Sequence, residues 1–425
     1  MSFKKRIVII GNSAAGLSAL EAFRRLDVES KVAMIDREPV RAYSRVITPY
    51  YIKGLIQKEE GLFIRTEQFY RDHAARTIFG ASVEAIDTRN REVILDTGLK
   101  EPFDVLLIAT GAFPNRPPIE QDTPDTRLVL RTLADAEQLK ERRRSANRGL
   151  FLGAGLVTLQ TLQAMHKDGA DFTLVIKSDR VLSQTLDAEA AEIVERRLEA
   201  MKIRIVKGQD ILRVKKTGHS QTATLSDGGE LPTDFLFVGK GVDPSIAFLA
   251  GSGIRVGRGI LVDSHMETNV EGIYAAGDVA QAPDFFSGKN VVAGLWPAAV
   301  EQGECAGKNM AGVHSCYGGN LKKNVSRIFG IPLVSIGDFT SKEVHESLVV
   351  RQEGRDVYRR FCFDRSGTLI GAVLVNRVDD LGVIHGLIKS RKGIGGPESL
   401  SGCSHSLSYG THYFHSVKPQ FGWLG

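Results

Sequence analysis

The sequence contains little cysteine and no long apolar run, and both absences narrow what the protein can do. Four cysteines are spread over 425 residues, and no two of them form a CxxC pair. This argues against a disulfide framework, an iron–sulfur site or a zinc ribbon, so we expect no metal. No segment approaches the roughly 20 apolar residues that cross a bilayer. We therefore expect no membrane span.

The chain also lacks a large excess of either positive or negative charge. Lys+Arg 55 against Asp+Glu 50 leaves a formal net charge of +5, which is too small to indicate a nucleic-acid partner. A basic start is followed by only four apolar residues, Ile7 to Ile10, which is too short for a secretory signal. The sequence therefore predicts a cytoplasmic protein. Glycine, in contrast, is plentiful at 44 residues, which favours tight turns and phosphate-binding loops.

The N-terminal residues have the pattern of a βαβ unit that binds a dinucleotide. An apolar run over residues 5–10 predicts a buried parallel strand, with a helix after it. Between them, Gly11, Ser13 and Gly16 occupy the positions of a GxGxxG loop, and Asp36 follows 20 residues after Gly16. Such a loop lets a pyrophosphate approach the helix N-terminus, and the acid accepts hydrogen bonds from a ribose. The alternative is a strand–turn–helix without a ligand.

A second unit of this kind begins near residue 149, and it departs from the pattern. Gly153 and Gly155 are present, but Thr158 stands where glycine usually keeps helix and strand close. The ribose position falls near Lys177, which cannot accept hydrogen bonds but, with Arg180, could attract a 2′-phosphate. Both a nucleotide site and a Rossmann-like domain kept only for its architecture fit this pattern.

A third feature is an apolar strand over residues 272–276 that ends in Gly277 and Asp278. Doubly wound sheets bind ligands at the carboxyl ends of their strands, which is where this carboxylate falls. Taken alone, an aspartate there could equally cap a helix.

Together these motifs resemble the two-dinucleotide-binding-domain flavoproteins, the superfamily of the pyridine nucleotide-disulfide oxidoreductases. The resemblance covers roughly residues 5 to 312. Residues 295–303 are similar to the branch of rubredoxin reductases and nitrite reductase flavin domains. The whole chain is also similar to the FAD subunit of phenylglyoxylate:NAD oxidoreductase complexes. The segments that carry the resemblance, besides the first loop and Asp36, are Ala109-Thr110-Gly111-Ala112, Gly239-x-Gly241-x-x-Pro244, and Thr268 with Ala276-Gly277-Asp278.

The resemblance implies an α/β fold with two Rossmann-like dinucleotide-binding domains, of which the FAD domain is discontinuous. A C-terminal α+β interface domain and an irregular tail follow. The implied segments are residues 1–116 (first segment of the FAD-binding domain), 117–242 (NAD(P)-binding domain), 243–320 (second segment of the FAD-binding domain), 321–392 (C-terminal α+β domain) and 393–425 (an extension for docking).

The resemblance also implies the site residues. Arg45 receives a catalytic role, the stabilisation of negative charge near the reactive edge of the flavin, against the alternative of a surface arginine. The residues implied for NAD(P) are Gly153, Gly155, Leu156, Lys177 and Gly241. The residues implied for FAD are Gly11, Ser13, Ala14, Ala15, Gly16, Asp36, Arg37, Arg45, Ala109, Thr110, Gly111, Gly277, Asp278, Trp296, Pro297 and Ala298.

The implied function is that of a FAD-dependent NAD(P)H:acceptor oxidoreductase. It exchanges a hydride between NAD(P)(H) and FAD and passes electrons to or from an external partner. That partner is an iron–sulfur protein or a subunit of a 2-oxoacid:acceptor oxidoreductase complex, and we expect an oligomer or hetero-complex. Residues 46–51 contain no cysteine, so an internal redox disulfide is excluded. Because Gln160 replaces the family's glutamate, a non-catalytic FAD-binding relay or assembly subunit with a vestigial nicotinamide site is the alternative.

Overall fold

The computed structural model describes residues 4–121, 127–217, 220–352, 354–393 and 395–397. They form two compact units, one of residues up to Asp179 with Lys202–Leu321, the other of Arg180–Met201 with the residues from Lys322 on. Residues 180–201 thus group with the C-terminal residues, although they lie inside the segment predicted to bind NAD(P). Apart from Gly393 and residues 395–397, the extension predicted at 393–425, with its cysteine and histidines, lies outside the described residues.

The helices include the one that the sequence predicts after the first strand, over Ala14–Arg24, and one over Trp296–Met310. None of the helices in the described ranges is long and apolar enough to cross a membrane. In chain order they are α1 (Ala14–Arg24), α2 (Thr48–Lys53), α3 (Glu67–Asp72), α4 (Leu133–Ser145), α5 (Leu156–Met165), α6 (Ala188–Ala200), α7 (Trp296–Met310) and α8 (Leu381–Ser390).

The strands in the described ranges are short, with at most seven residues each. In chain order they are β1 (Arg6–Ile10), β2 (Lys31–Asp36), β3 (Ala75–Phe79), β4 (Val83–Asp87), β5 (Glu92–Leu95), β6 (Lys100–Pro102), β7 (Val105–Ile108), β8 (Ala112–Pro114), β9 (Glu120–Gln121), β10 (Arg127–Leu128), β11 (Arg148–Leu152), β12 (Asp171–Ile176), β13 (Arg204–Lys207), β14 (Ile211–Thr217), β15 (Ser220–Leu225), β16 (Glu230–Thr233), β17 (Phe235–Val238), β18 (Val242–Pro244), β19 (Ile260–Leu261), β20 (Ile273–Ala275), β21 (Ala280–Pro283), β22 (Asn290–Val292), β23 (Lys323–Ile328), β24 (Ile331–Gly337), β25 (Glu346–Gln352), β26 (Val357–Phe363) and β27 (Leu369–Val375).

Two five-stranded parallel sheets in the first unit have the same order and connection in four of their five strands. Their orders are β20-β7-β1-β2-β3 and β10-β17-β11-β12-β13, and the edge strand comes last in the chain in the first (β20) but first in the second (β10). An antiparallel sheet lies in the chain between β3 and β7 (β4-β5-β6) and between the equivalent strands β13 and β17 (β14-β15-β16, with β9 beside β14). We call the two halves the first and the second module. The internal duplication predicted from the two glycine loops is therefore a duplication of the sheets as well.

The central strands of both modules are continuous apolar runs because parallel sheets are buried on both faces. Examples are β7 and β17, in which every residue is buried. On the first sheet, α1 packs against α7 through small residues. A Cβ on Gly303 or Gly307 would stand 2.2 or 2.4 Å from a backbone oxygen of α1, so glycine is required for this contact. The contact fixes the N-termini of both helices, where the sequence predicts FAD.

The second unit contains a five-stranded antiparallel sheet, β23-β24-β27-β26-β25, with α8 and α6. The grouping of α6 here has a visible cause. Its N-cap, Asp187, accepts a hydrogen bond from Tyr358 at 2.8 Å, and Glu189 in its first turn binds Arg351 at 2.7 and 2.8 Å. These side-chain pairs attach the helix to β25 and β26.

Candidate functional site

Backbone hydrogen bonds define which residues of the two modules are equivalent. In the first module Gly11 N–H donates to the Ile35 carbonyl at 2.8 Å, and in the second Gly153 N–H donates to the Val175 carbonyl at 2.9 Å. In the same way, Ala109 N–H donates to the Ile10 carbonyl at 2.7 Å, and Gly239 N–H donates to the Leu152 carbonyl at 2.9 Å. Each position of one glycine loop can therefore be compared with its counterpart in the other.

The first loop is a cradle in which side chains have no room. Gly11 has a φ of +118°, and a Cβ there would lie 2.1 Å from the Ala109 carbonyl oxygen. A Cβ on Gly16 would lie 1.9 Å from the Gly11 carbonyl oxygen. The N-cap of α1, Ser13, makes no side-chain capping hydrogen bond, so the first amides of the helix are available to a ligand. A diphosphate is the group that such a cradle fits.

Asp36 lies at the end of β2, where its carboxylate holds the cradle in place. Its Oδ2 accepts the Asn12 amide at 2.7 Å, and its Oδ1 accepts the Glu38 amide at 2.8 Å. Burial, the largest influence, raises the pKa of Asp36 despite these hydrogen bonds. The predicted ribose acceptor is thus also a structural support for the loop that holds the phosphates.

The Arg45 side chain forms an ion pair with Glu38 and does not lie on an open surface. Its Nη2 binds Glu38 Oε1 at 2.7 Å, and its Nη1 contacts Tyr43 Oη at 3.0 Å and the Arg131 carbonyl at 2.5 Å. Burial alone would raise the pKa of Glu38, but the charge of Arg45 and the hydrogen bonds from Tyr43 and Arg45 hold that pKa below its ordinary value. The predicted role of Arg45 at the reactive flavin edge stays a prediction. The structure shows it at the end of β2.

Arg131 is a site residue that no sequence motif indicates. Its Nη2 forms an ion pair with Asp278 Oδ2 at 2.9 Å, and both side chains are mostly buried. The same nitrogen would lie 2.9 Å from a Cβ on Gly111, so Arg131 lies directly over that predicted contact. Arg45 and Arg131 thus connect the end of β2 to the end of β20. The only local signal is an arginine just before the Thr132 cap of α4.

The remaining predicted FAD residues surround this chain of contacts. Thr110 donates to the Ser245 carbonyl at 3.2 Å, and the Arg37 guanidinium lies 4.2 Å from the centroid of the Phe113 ring. Gly277 N–H donates to Gln302 Oε1 at 2.8 Å, which ties the strand end to α7. Trp296, Pro297 and Ala298 form the first turn of α7, whose N-cap makes no side-chain capping hydrogen bond. Ala14 and Ala15 are buried in the first turn of α1.

In the second loop the predicted departure at Thr158 is compensated. Thr158 is 1% exposed, and its hydroxyl donates to the Gly239 carbonyl at 3.3 Å. A Cβ on Gly239 would lie 2.0 Å from Thr158 Oγ1, so the glycine makes room for the threonine. Gly153 keeps a positive φ of +96°, as Gly11 does, and Gly155 forms the N-cap of α5 with Leu156 after it. The loop therefore retains its cradle shape.

The register changes the interpretation of Lys177. Since Val175 is equivalent to Ile35, the counterpart of Asp36 is Ile176, and Lys177 lies one residue further, at the position of Arg37. The expected ribose position near Lys177 rests on taking the residue directly after the second apolar strand. It stays a prediction, with Ile176 as the residue that the register makes equivalent to Asp36. Gly241 has a φ of +86° and lies just after β17, at the same end of the sheet.

Comparisons with known proteins agree with this geometry. Residues 5–303 match the family described as pyridine nucleotide-disulphide oxidoreductase, and residues 324–392 match the rubredoxin NAD+ reductase C-terminal domain. The chain belongs to the pyridine nucleotide-disulphide oxidoreductase family.

Within the described residues, Cys305, Cys316 and Cys362 are all free thiols, and no group of three His, Cys, Asp or Glu is placed to hold a metal.

The relatives are reductases, oxidases and dehydrogenase subunits. The NADH-dependent phenylglyoxylate dehydrogenase subunit epsilon of Aromatoleum evansii is 33% identical over 388 residues, which are 91% of this chain and 92% of that protein. The NADH oxidase of Methanocaldococcus jannaschii is 27% identical over 392 residues, 87% of each chain. The crystal structure of a ferredoxin reductase from Rhodopseudomonas palustris superposes with a TM-score of 0.86 at 25% identity, covering 92% of this chain and 96% of that one.

These findings confirm the predicted class. The chain is a flavin-dependent NAD(P)H oxidoreductase of a family that binds FAD and NAD(P)H. The fit to FAD also rests on this structure: a diphosphate cradle that a Cβ would fill, and carboxylates at the ends of β2 and β20. The names of the relatives support the enzyme and not the non-catalytic alternative.

Proposed function

We propose that this chain moves electrons between a nicotinamide nucleotide and an external iron–sulfur redox partner, as a subunit of a 2-oxoacid:acceptor oxidoreductase complex. FAD, when bound, supplies two-electron exchange with a nicotinamide and one-electron exchange with an iron–sulfur centre. The observation that carries the proposal is the pair of glycine cradles on two parallel sheets that share the arrangement of four strands. The relatives named above, a dehydrogenase subunit and a ferredoxin reductase, indicate the kind of partner.

The residues of the first module have distinct roles in this proposal. The first amides of α1 would bind the diphosphate, and Asp36 holds the loop through the Asn12 amide. Asp278 would accept hydrogen bonds from the hydroxyl groups of the ribityl chain, and Arg131 balances its charge. Arg45 acts as a positioning residue, because it binds the Arg131 carbonyl and neutralises Glu38.

We place this activity in the cytoplasm. The thiols of Cys305 and Cys362 are buried and unpaired, which suits a reducing compartment. The electrons have no internal disulfide to reach among the described cysteines, so an external partner is required.

Anaerobic mixing of the FAD-loaded protein with NADH and with NADPH tests the proposal. We expect at least one nucleotide to bleach the visible absorbance band of the flavin, with re-oxidation when a ferredoxin is added. Purification of the native complex with iron analysis tests the partner, and we expect iron and acid-labile sulfide in a companion subunit. A flavin that neither nucleotide bleaches, or a native preparation without iron, would contradict the proposal.

A further inference from the structure

The end of β12 is the place where the two modules differ in charge. The first module has Asp36 after the residue that binds its glycine loop, and the second has Ile176. Ile176 is 1% exposed and has no hydrogen-bonding atom in its side chain. No carboxylate therefore stands at the position where a ribose hydroxyl of a nicotinamide nucleotide would be bound.

Two lysines flank this position. Lys177 follows Ile176 in the chain, and Lys207 is the residue paired with Ile176 on β13. Both are exposed. The corresponding residues of the first module are Arg37 and Phe79, so the second module has one more lysine at the end of its sheet. An ammonium group is a point charge that binds phosphate well.

The carboxylates near this position stand elsewhere. Asp179 is exposed two residues beyond Lys177. Asp210 is paired with Lys240 at 3.2 Å. Neither occupies the position that is equivalent to Asp36.

An acid at this position has two effects on selectivity. It accepts hydrogen bonds from the ribose hydroxyls of NAD, and it repels the 2′-phosphate of NADP. Replacing the acid by isoleucine removes both effects, and the neighbouring lysines add attraction for the phosphate. Building on the proposed function, we propose that the nicotinamide site accepts NADPH as well as NADH, with Lys177 contacting the 2′-phosphate.

Binding of nucleotide fragments tests this directly. Adenosine 2′,5′-bisphosphate and adenosine 5′-monophosphate are titrated into the FAD-loaded full chain by calorimetry. We expect the bisphosphate to bind at least about fivefold more tightly at low salt, with the ratio falling as salt screens the lysines. Equal affinities, or weaker binding of the bisphosphate, would overturn the inference.

Substitutions identify the residues responsible. Lys177→Gln is an exposed change that leaves the core intact, and we expect it to weaken bisphosphate binding about fivefold without changing monophosphate binding. Lys215→Gln, an exposed lysine on β14, is the matched control and should change neither. Ile176→Glu restores the acid and should lower kcat/KM for NADPH about tenfold or more relative to NADH. A Lys177→Gln protein with wild-type bisphosphate affinity contradicts the assignment.

The two proposals fail in different ways. If NADH bleaches the flavin but NADPH has a kcat/KM about a hundredfold lower or worse, this inference is wrong and the proposed function stands. If the bisphosphate binds selectively but neither nucleotide bleaches the flavin, the site is as inferred and the proposed electron transfer is wrong.

Discussion

The two modules meet the same packing requirement with the small residue in opposite places. In the first module Gly16 is the small residue on the helix, and Ala109 stands at the end of the fourth strand. In the second module the helix carries Thr158, and the strand end carries Gly239. What has to be maintained at this crossing is therefore the combined volume and not glycine at one position. A loop that departs from GxGxxG can keep its shape when the departure is compensated across the sheet.

The modules also differ in how the loop is held. In the first, the Asp36 carboxylate binds the Asn12 amide at 2.7 Å. In the second, Ile176 occupies the equivalent position and offers no acceptor. The first loop therefore has an anchor of its own, whereas the shape of the second depends more on the contact between Thr158 and Gly239.

Transferring the threonine to the first module is the change with the largest expected effect. In Gly16→Thr, the Cβ would overlap the Gly11 carbonyl oxygen, and the residue equivalent to Gly239 is the larger Ala109. We expect a loss of unfolding free energy above about 4 kcal/mol, or no folded protein, together with loss of FAD. Denaturant unfolding and the flavin-to-protein ratio measure both effects. Gly155→Ala, where no atom lies within 4 Å of the new Cβ, is the control and should retain its flavin. A Gly16→Thr protein that keeps its flavin would show that the two crossings are not equivalent.

A double-mutant cycle on the second module tests the compensation itself. Gly239→Ala brings a Cβ to 2.0 Å from Thr158 Oγ1, and we expect it to cost about 1–3 kcal/mol in unfolding free energy. Adding Thr158→Gly should recover most of this loss, because the two side chains then have the sizes found in the first module. The coupling energy from denaturant titrations should reach about 1 kcal/mol or more. Strict additivity of the two changes would contradict the compensation.

The sequence predicts features that depend on neighbouring residues well, and it does not predict contacts between residues that are far apart in the chain. The apolar strand at residues 5–10 and the helix after it follow from local periodicity, and the sequence predicts both. The contact of Thr158 with Gly239 joins residues 81 apart, and the pair Arg131–Asp278 joins residues 147 apart. No local pattern contains such pairs.

The residue equivalent to Asp36 could not be predicted for a different reason. Counting 20 residues from Thr158, as from Gly16 to Asp36, reaches Ser178, so spacing from the glycines does not find the equivalent position. The segment between the third loop position and the end of the second strand is two residues shorter in the second module, where it runs from Thr158 to Ile176, than in the first, where it runs from Gly16 to Asp36. Only the strand register determines which residue takes that place. The grouping of α6 with the second unit is likewise not predictable from local sequence, because it depends on ion pairs with strands far away in the chain.

Removal of Arg131 tests a contact that connects two strand ends of the first module. Arg131→Met leaves the Asp278 carboxylate without its ion pair, next to the proposed diphosphate and ribityl positions. We expect FAD affinity to fall by about 1–2 kcal/mol, roughly five- to thirtyfold in Kd. Fluorescence titration of the deflavinated protein with FAD measures this. Arg148→Met removes a more exposed ion pair, to Asp234, and serves as the control for general loss of charge. Equal Kd values for Arg131→Met and the wild type would remove Arg131 from the site.

The smallest expected effect separates the modules by their response to acid. The second module has Ile176 and Ser178 at the positions of Asp36 and Glu38, so only the first has carboxyl groups at these two positions. Because Arg45 and Tyr43 hold the pKa of Glu38 below its ordinary value of 4.5, its contribution to stability is present above that pH and is lost as the pH falls through the lowered pKa. Asp36 has the opposite shift in pKa, so its contribution is present below its ordinary value of 3.8 and declines as the pH rises.

Because the contribution of Glu38 is present only above its lowered pKa, Glu38→Gln should cost about 1 kcal/mol of unfolding free energy above pH 4.5 and converge with the wild type at lower pH. Urea unfolding monitored by flavin fluorescence across this range measures the difference, and parallel curves for the two proteins at every pH would show that Glu38 does not carry it.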